Sequence, residues 1–262
     1  MNDAVVLCYH AVSDRWPATI AIAPDQLRQH VEDLSRRGYR GVTFSDIVSR
    51  PRDGNSVAIT FDDAYRSVIE VGLPLLSDAG FPATVFAPTG FIGTTKSLAW
   101  PGIDHWQSTG YAEELMPMSW DELAALADAG WEIGSHTRSH PALPLLSGDD
   151  LDEELRGSRE DIEARLGQRC ASLAYPYGYR DERVIETARR AGYTAAARTA
   201  RGRFLPPSSP LDWPRIMVTR RDGGLRFRIK VSPSFRRFRA SRAWLLLDTA
   251  RRRGRARRSV GS

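Results

Sequence analysis

Four glycines constrain this chain more than any other feature, because each closes a helical stretch and is followed by an aromatic that opens an apolar run. They are Gly38-Tyr39, Gly80-Phe81, Gly130-Trp131 and Gly192-Tyr193. Glycine suits the left-handed residue just past a helix end, so each pair reads as a helix-to-strand turn. The spacings grow from 42 to 50 to 62 residues, which rules out a repeat of fixed period. What remains is a β-α-β-α order and hence a parallel sheet or barrel. A chain of 262 residues has ample core for one such barrel.

The strand most in need of explanation is Val57-Ala58-Ile59-Thr60-Phe61, which stops at Asp62-Asp63. Adjacent carboxylates repel, and a site that keeps both needs a cation or a shared proton; alternatively, Asp62 or Asp63 caps a helix running from Ala64 to Ala79. A second short strand, Trp131 to Ser135, delivers His136 and His140, two of only five histidines. Two imidazoles with one carboxylate form a facial metal set that leaves positions open for water and substrate. Ligands of parallel α/β folds gather at the carboxyl ends of strands, where Asp62, Asp63, His136 and Tyr177 all fall.

Thr60-Phe61-Asp62-Asp63, the His136/His140 pair and Ala174-Tyr175-Pro176-Tyr177-Gly178 resemble the first three motifs of polysaccharide deacetylases, the NodB-like domain of carbohydrate esterase family four. The likeness spans roughly Val5 to Val218. It implies a distorted (β/α) barrel of about seven parallel strands and a metal-dependent deacetylase. It further implies Asp62 as catalytic base and Asp63, His136 and His140 as ligands of a divalent metal. Zinc is the first choice; cobalt, nickel and iron suit the same donors. The resemblance places the Tyr177 backbone N–H, in the turn begun by Pro176, against the oxyanion.

Two positions depart from that pattern. Ala174 stands where the family has an arginine that pairs with the base. No histidine follows His140, so Ile216-Met217-Val218 resembles the late Leu-x-His strand without its general acid. His10, after the first apolar strand, is the natural substitute. It resembles the Tyr-His motif of the branch acting on poly-N-acetylglucosamine-type polymers, and in a closed barrel the first strand neighbours the last. The alternative is a core histidine satisfied by backbone.

Between Phe86 and Ser119 lies an insertion holding Trp100, His105, Trp106 and Tyr111. Trp100 and Trp106 either line a glycan groove or pin the loop. Ser119 and Glu122 have capping-box spacing for a helix reaching about Ala129. The acids of the helical segment 149–166 read as a solvated face.

The net charge of +5 hides an asymmetry, since residues 215–258 carry 16 Arg/Lys against Asp222 and Asp248. We divide the chain into a catalytic domain, 1–225, and an Arg-rich tail, 226–262. Such a tail suits phosphate, above all an anionic membrane surface or a lipid- or nucleotide-linked sugar; nucleic acid fits less well. Cys8 and Cys170 are too few for a disulfide framework. The start lacks a basic n-region and no run reaches spanning length, so the expected location is the cytoplasm, peripheral at the membrane. The expected substrate is an N-acetylated glycan. Hydrolysis of a non-sugar C–N bond on the same fold, or a degenerate glycan-binding module, are the competing readings.

Overall fold

A computed structural model describes residues 4–50, 55–200 and 204–244. The strands are β1 (Val5–Tyr9), β2 (Ala11–Val12), β3 (Ala21–Ile22), β4 (Arg40–Gly41), β5 (Ser56–Asp62), β6 (Ala83–Ala87), β7 (Glu132–Ser135), β8 (Ser172–Ala174), β9 (Ala195–Thr199) and β10 (Trp213–Met217). Between and after them run helices α1 (Pro24–Arg36), α2 (Phe44–Ser49), α3 (Leu73–Asp78), α4 (Trp120–Asp128), α5 (Gly148–Asp152), α6 (Ser158–Leu166), α7 (Glu182–Arg190), α8 (Gly224–Val231) and α9 (Pro233–Ala240).

Seven strands close a parallel barrel in the order β1-β10-β9-β8-β7-β6-β5, with β5 returning to β1 from Val5↔Val57 to Tyr9↔Phe61. The expected (β/α) barrel is what forms. Strand β4 adds two residues beside the start of β5, and β2 pairs with β3 separately. All four junction glycines adopt positive φ, from 70° at Gly80 to 97° at Gly192. Their aromatic followers Tyr39, Phe81, Trp131 and Tyr193 are all buried.

Alternation along the strands divides the core in two. Val5, Leu7, Val57, Ile59 and Phe61 join the large cluster that includes Leu27, Val31 and Leu34 of α1. Val6, Ala58, Ala174, Ala195 and Ala197 form a separate cluster with Phe86, and Phe44 of α2 packs into it. Small side chains on four strands leave interior volume for two large ones, Phe86 and Arg215. The Arg215 guanidinium lies 5.3 Å from the Phe86 ring centre and is fully buried.

One expectation changes in detail. Helical backbone after β5 begins at Arg66, two residues later than expected, because Asp63 and Ala64 take left-handed φ of 71° and 51°. The capping-box helix forms as read, with Ser119 N donating to Glu122 Oε2 and Glu122 N to Ser119 Oγ. Within the segment assigned to the tail, Phe227 and Val231 of α8 are fully buried, and Phe227 stacks on His30 at 3.8 Å. Residues 245–262 of that tail lie outside the described residues. Among the described residues, no helix is long and apolar enough to cross a membrane.

Candidate active site

Strand β5 ends at Asp62, whose side chain points into the barrel, and the chain then turns abruptly. The left-handed Asp63 swings its carboxylate toward the loop after β7. Thr137, His140 and Tyr177 also have φ between 59° and 67°. Of the six non-glycine positive-φ residues among those described, Asp63, His140 and Tyr177 line one cleft, and Ala64 directly follows one of its lining residues, as Thr137 does another. Each such residue costs on the order of 1–3 kcal/mol, strain that persists only where surrounding structure imposes it.

That surrounding structure is partly acidic. Glu154 accepts hydrogen bonds from the backbone N–H groups of Arg138 and Ser139 at 2.8 and 2.9 Å. Asp161 accepts from Arg138 Nε at 2.9 Å and from Thr89 Oγ1 at 2.7 Å. These two acids belong to the segment read as a solvated face; they instead clamp the His136–His140 loop. Helical periodicity marks which side of a helix is polar, not which acids on it meet a loop.

His136 Nδ1 donates to the Ala174 carbonyl at 2.7 Å. That bond leaves Nε2 as the unprotonated nitrogen, and Nε2 faces Asp63 Oδ1 at 3.4 Å. His140 Nε2 lies 3.6 Å from the same oxygen. Asp63 Oδ1 is buried with no hydrogen-bond partner. The Nε2 atoms of His136 and His140 and the Asp63 carboxylate thus converge on one point, an arrangement that a bound cation or a shared proton satisfies. The Asp63, His136 and His140 donor atoms lie within 4.8 Å of one another, so these residues fit a divalent metal. Cys8, His10 and Asp62 also bring donor atoms within 4.8 Å, but Asp62 is already committed to a strong cation.

That cation is Arg215, the residue missing from the sequence reading. From β10 its Nη1 donates to Asp62 Oδ1 at 2.6 Å and its Nη2 to Oδ2 at 2.7 Å. Nη1 also reaches Thr60 Oγ1 at 3.0 Å, and the Cys8 thiol donates to Asp62 Oδ2 at 3.4 Å. The ion-pair partner absent at Ala174 is therefore supplied from another strand. One signal pointed there: an arginine in the apolar run Trp213 to Val218 is out of place unless paired.

The two neighbouring carboxyls are driven apart. Burial pushes Asp62 up, but the Arg215 guanidinium and its hydrogen bonds, together with the facing histidines, outweigh it and hold the carboxyl well below the usual range. Burial, reinforced by the Asp62 charge, pushes Asp63 well above it. Burial lowers His136 and His140, and the His136 charge lowers His140 further.

His10 borders the same cleft as Asp62, Asp63, His136, His140 and Tyr177, a space of about 180 Å³. Burial pulls it down to about 4, against the opposing pull of Asp62. Its Nδ1 is buried without a partner. Strand β1 pairs with β10 at Cys8↔Met217, so the ends of the first and last strands do adjoin. Met217 lines the cleft as well.

The aromatics divide. Trp100 is 7% exposed and stacks on His140, with ring centres 4.0 Å apart. Trp106 packs against Trp16 and Tyr111 and lines neither the cleft nor the groove beside it. The groove is bordered by Trp100, His140, Pro141, Tyr177 and Tyr179, and Tyr179 is 43% exposed. The turn at Pro176 carries Tyr177 with its ring against His140 at 4.7 Å.

A closed parallel barrel thus carries at its carboxyl rim the buried Asp63/His136/His140 cluster and, beside it, Asp62 clamped by Arg215. Residues 49–196 match the polysaccharide deacetylase family, and the chain belongs to it. YxkH of Bacillus subtilis, provisionally named a polysaccharide deacetylase, is 24% identical over 203 residues, covering 75% of this chain and 64% of its own. This chain thus spans somewhat under two thirds of that relative. The poly-β-1,6-N-acetyl-D-glucosamine N-deacetylase of Staphylococcus epidermidis is 21% identical over 245 residues, covering 83% and 80%. Among solved structures, IcaB from Ammonifex degensii superposes with a TM-score of 0.70 at 23% identity, over 92% of this chain and 98% of its own. The Streptococcus pyogenes deacetylase PplD, solved with acetate, gives 0.72 at 21%, over 88% and 98%.

Proposed function

We propose that this chain is a metal-dependent hydrolase that removes acetyl groups from an N-acetylated sugar or polysaccharide. The observation that carries the reading is Asp63 Oδ1, buried and unpartnered between two imidazole nitrogens and next to an aspartate held ionised by Arg215. Asp63, His136 and His140 would hold the metal, zinc suiting two nitrogens and one oxygen best, with cobalt, nickel or iron accepted by the same donors. When bound, such an ion acidifies water and polarises an acyl carbonyl.

The chain's own groups supply the rest. Asp62, ionised and fixed by two charge-assisted bonds, takes the proton of the attacking water. The oxyanion formed as the C–O bond closes faces the Tyr177 backbone N–H in the turn that Pro176 begins. His10 then gives a proton to the leaving nitrogen as the C–N bond breaks, releasing acetate and the amine. Because burial keeps the His10 imidazole neutral near pH 7, the proton it delivers is the one Asp62 collected. A donor atom of His10 lies within 4.8 Å of an Asp62 oxygen, a span that one water or the leaving amine bridges.

The groove beside the cleft favours an extended glycan over a small amide. Tyr177 and Tyr179 stand together along it, ring centres 5.7 Å apart, in the manner of aromatic shelves that stack on sugar faces.

The test is acetate release from N-acetylglucosamine oligomers by metal-replete protein, chelated protein and an Asp62→Asn variant. Release that needs both metal and Asp62 is expected. Release indifferent to either removes the mechanism, and no release from any oligomer despite one tightly held metal transfers the site to another amide.

A further inference from the structure

Helix α8 is apolar on two opposite sides. Phe227 and Val231 face the core and are fully buried, whereas Leu225 and Ile229, one turn apart on the other side, are 75% and 47% exposed. At 100° per residue, Arg226 and Arg228 flank that outward stripe, their side chains 64% and 55% exposed. Across from it stand Phe235 of α9 and Trp244, and together they border a groove of about 590 Å³. Residues 223–244 contain seven Arg/Lys. Arg226 and Lys230 pair with the buried Asp222 and Arg228 with Asp33, which leaves the face net cationic with the Arg226 and Arg228 side chains still largely exposed.

We infer that this groove is the face by which the protein rests on an anionic lipid bilayer. Leu225 and Ile229 enter the acyl boundary while the surrounding arginines meet lipid phosphates. An outward apolar stripe edged by cations is the pattern of interfacial helices. Other occupants satisfy only half of it. Nucleic acid would pair the arginines yet leave Leu225 and Ile229 in water, and a second copy would bring two net-cationic faces together. Met217 lines both the groove and the catalytic cleft, so a bilayer held there lies beside the cleft mouth. The inference stands on this surface alone and does not require the proposed chemistry.

The test is flotation of the full chain with phosphatidylcholine vesicles, with and without phosphatidylglycerol. Binding is expected only with phosphatidylglycerol, and it should weaken as salt screens the phosphates. Leu225→Ser/Ile229→Ser should lower the bound fraction on the order of tenfold through lost apolar burial. Its melting temperature and its acetate release from soluble oligomers should not change. Arg226→Gln/Arg228→Gln, which leaves the apolar stripe intact, should reduce binding and its salt dependence. Absence of binding to phosphatidylglycerol vesicles overturns the inference. So does binding that both variants retain in full, or retention on duplex DNA that replaces vesicle binding and ignores the Leu225/Ile229 change.

Discussion

Arg215 of β10 grips Asp62 of β5 through both carboxylate oxygens at 2.6 and 2.7 Å, although 153 residues separate them. Both side chains are buried, so the pair is geometrically fixed, and removing one member strands the other charge in the barrel. Arg215→Met should therefore cost about 3–5 kcal/mol in urea unfolding and abolish acetate release. Arg215→Lys keeps the charge but not the fork; it should recover most of the stability and little of the turnover. Equal turnover in Arg215→Lys and wild type would show that the bidentate geometry is not used.

His10→Gln should lower kcat by about 10²–10⁴, the usual worth of a positioned proton donor, with metal content unchanged. Metal analysis and steady-state kinetics on one preparation decide it. Unimpaired turnover in a folded His10→Gln protein removes His10 from the reaction.

Trp100 covers one face of His140, and if His140 holds a metal as proposed, this supporting contact tunes its affinity. Trp100→Ala should weaken the metal by roughly tenfold or more, read by competition with a chromophoric chelator. Chelation of wild-type protein should lower its melting temperature by linkage, and His140→Ala should erase that difference. A melting temperature indifferent to chelator would contradict a resident metal.

His30 offers a stability test remote from the cleft. It is 1% exposed, stacked on Phe227 and hydrogen-bonded through Nε2 to the Asp222 carbonyl at 2.7 Å and through Nδ1 to Tyr9 Oη at 3.1 Å. Burial lowers it from 6.5 to about 4, against the Asp222 carbonyl bond that raises it. The unfolded chain therefore binds a proton that the folded one refuses, and stability rises with pH across that window. The contribution is whole above about pH 6.5 and is lost as pH falls toward 4, at most about 3 kcal/mol. Wild type should lose its advantage over His30→Gln between those limits; a constant difference from pH 7 to 4 would show that His30 does not titrate in this way.

The amino-acid sequence by itself determined the features carried by short range. Glycine before an aromatic sets a left-handed turn, and four such turns dictate the parallel alternation that closes into the barrel. The Asp62-Asp63 strand end and the His136/His140 spacing likewise lie within one turn or loop each, so both halves of the site were legible in the sequence, while the choice of Asp63 as the carboxylate that joins the histidines came from the family resemblance. The tertiary structure alone decided which groups meet across the interior. Barrel closure brings β10 beside β1 and aims Arg215 at Asp62, a pairing no local spacing encodes. It also turns Glu154 and Asp161 onto the His136–His140 loop, folds Trp100 over His140, and buries Phe227 while exposing Leu225. Backbone preferences act over a few residues, whereas a buried charge is satisfied by whichever partner the register brings within hydrogen-bond reach.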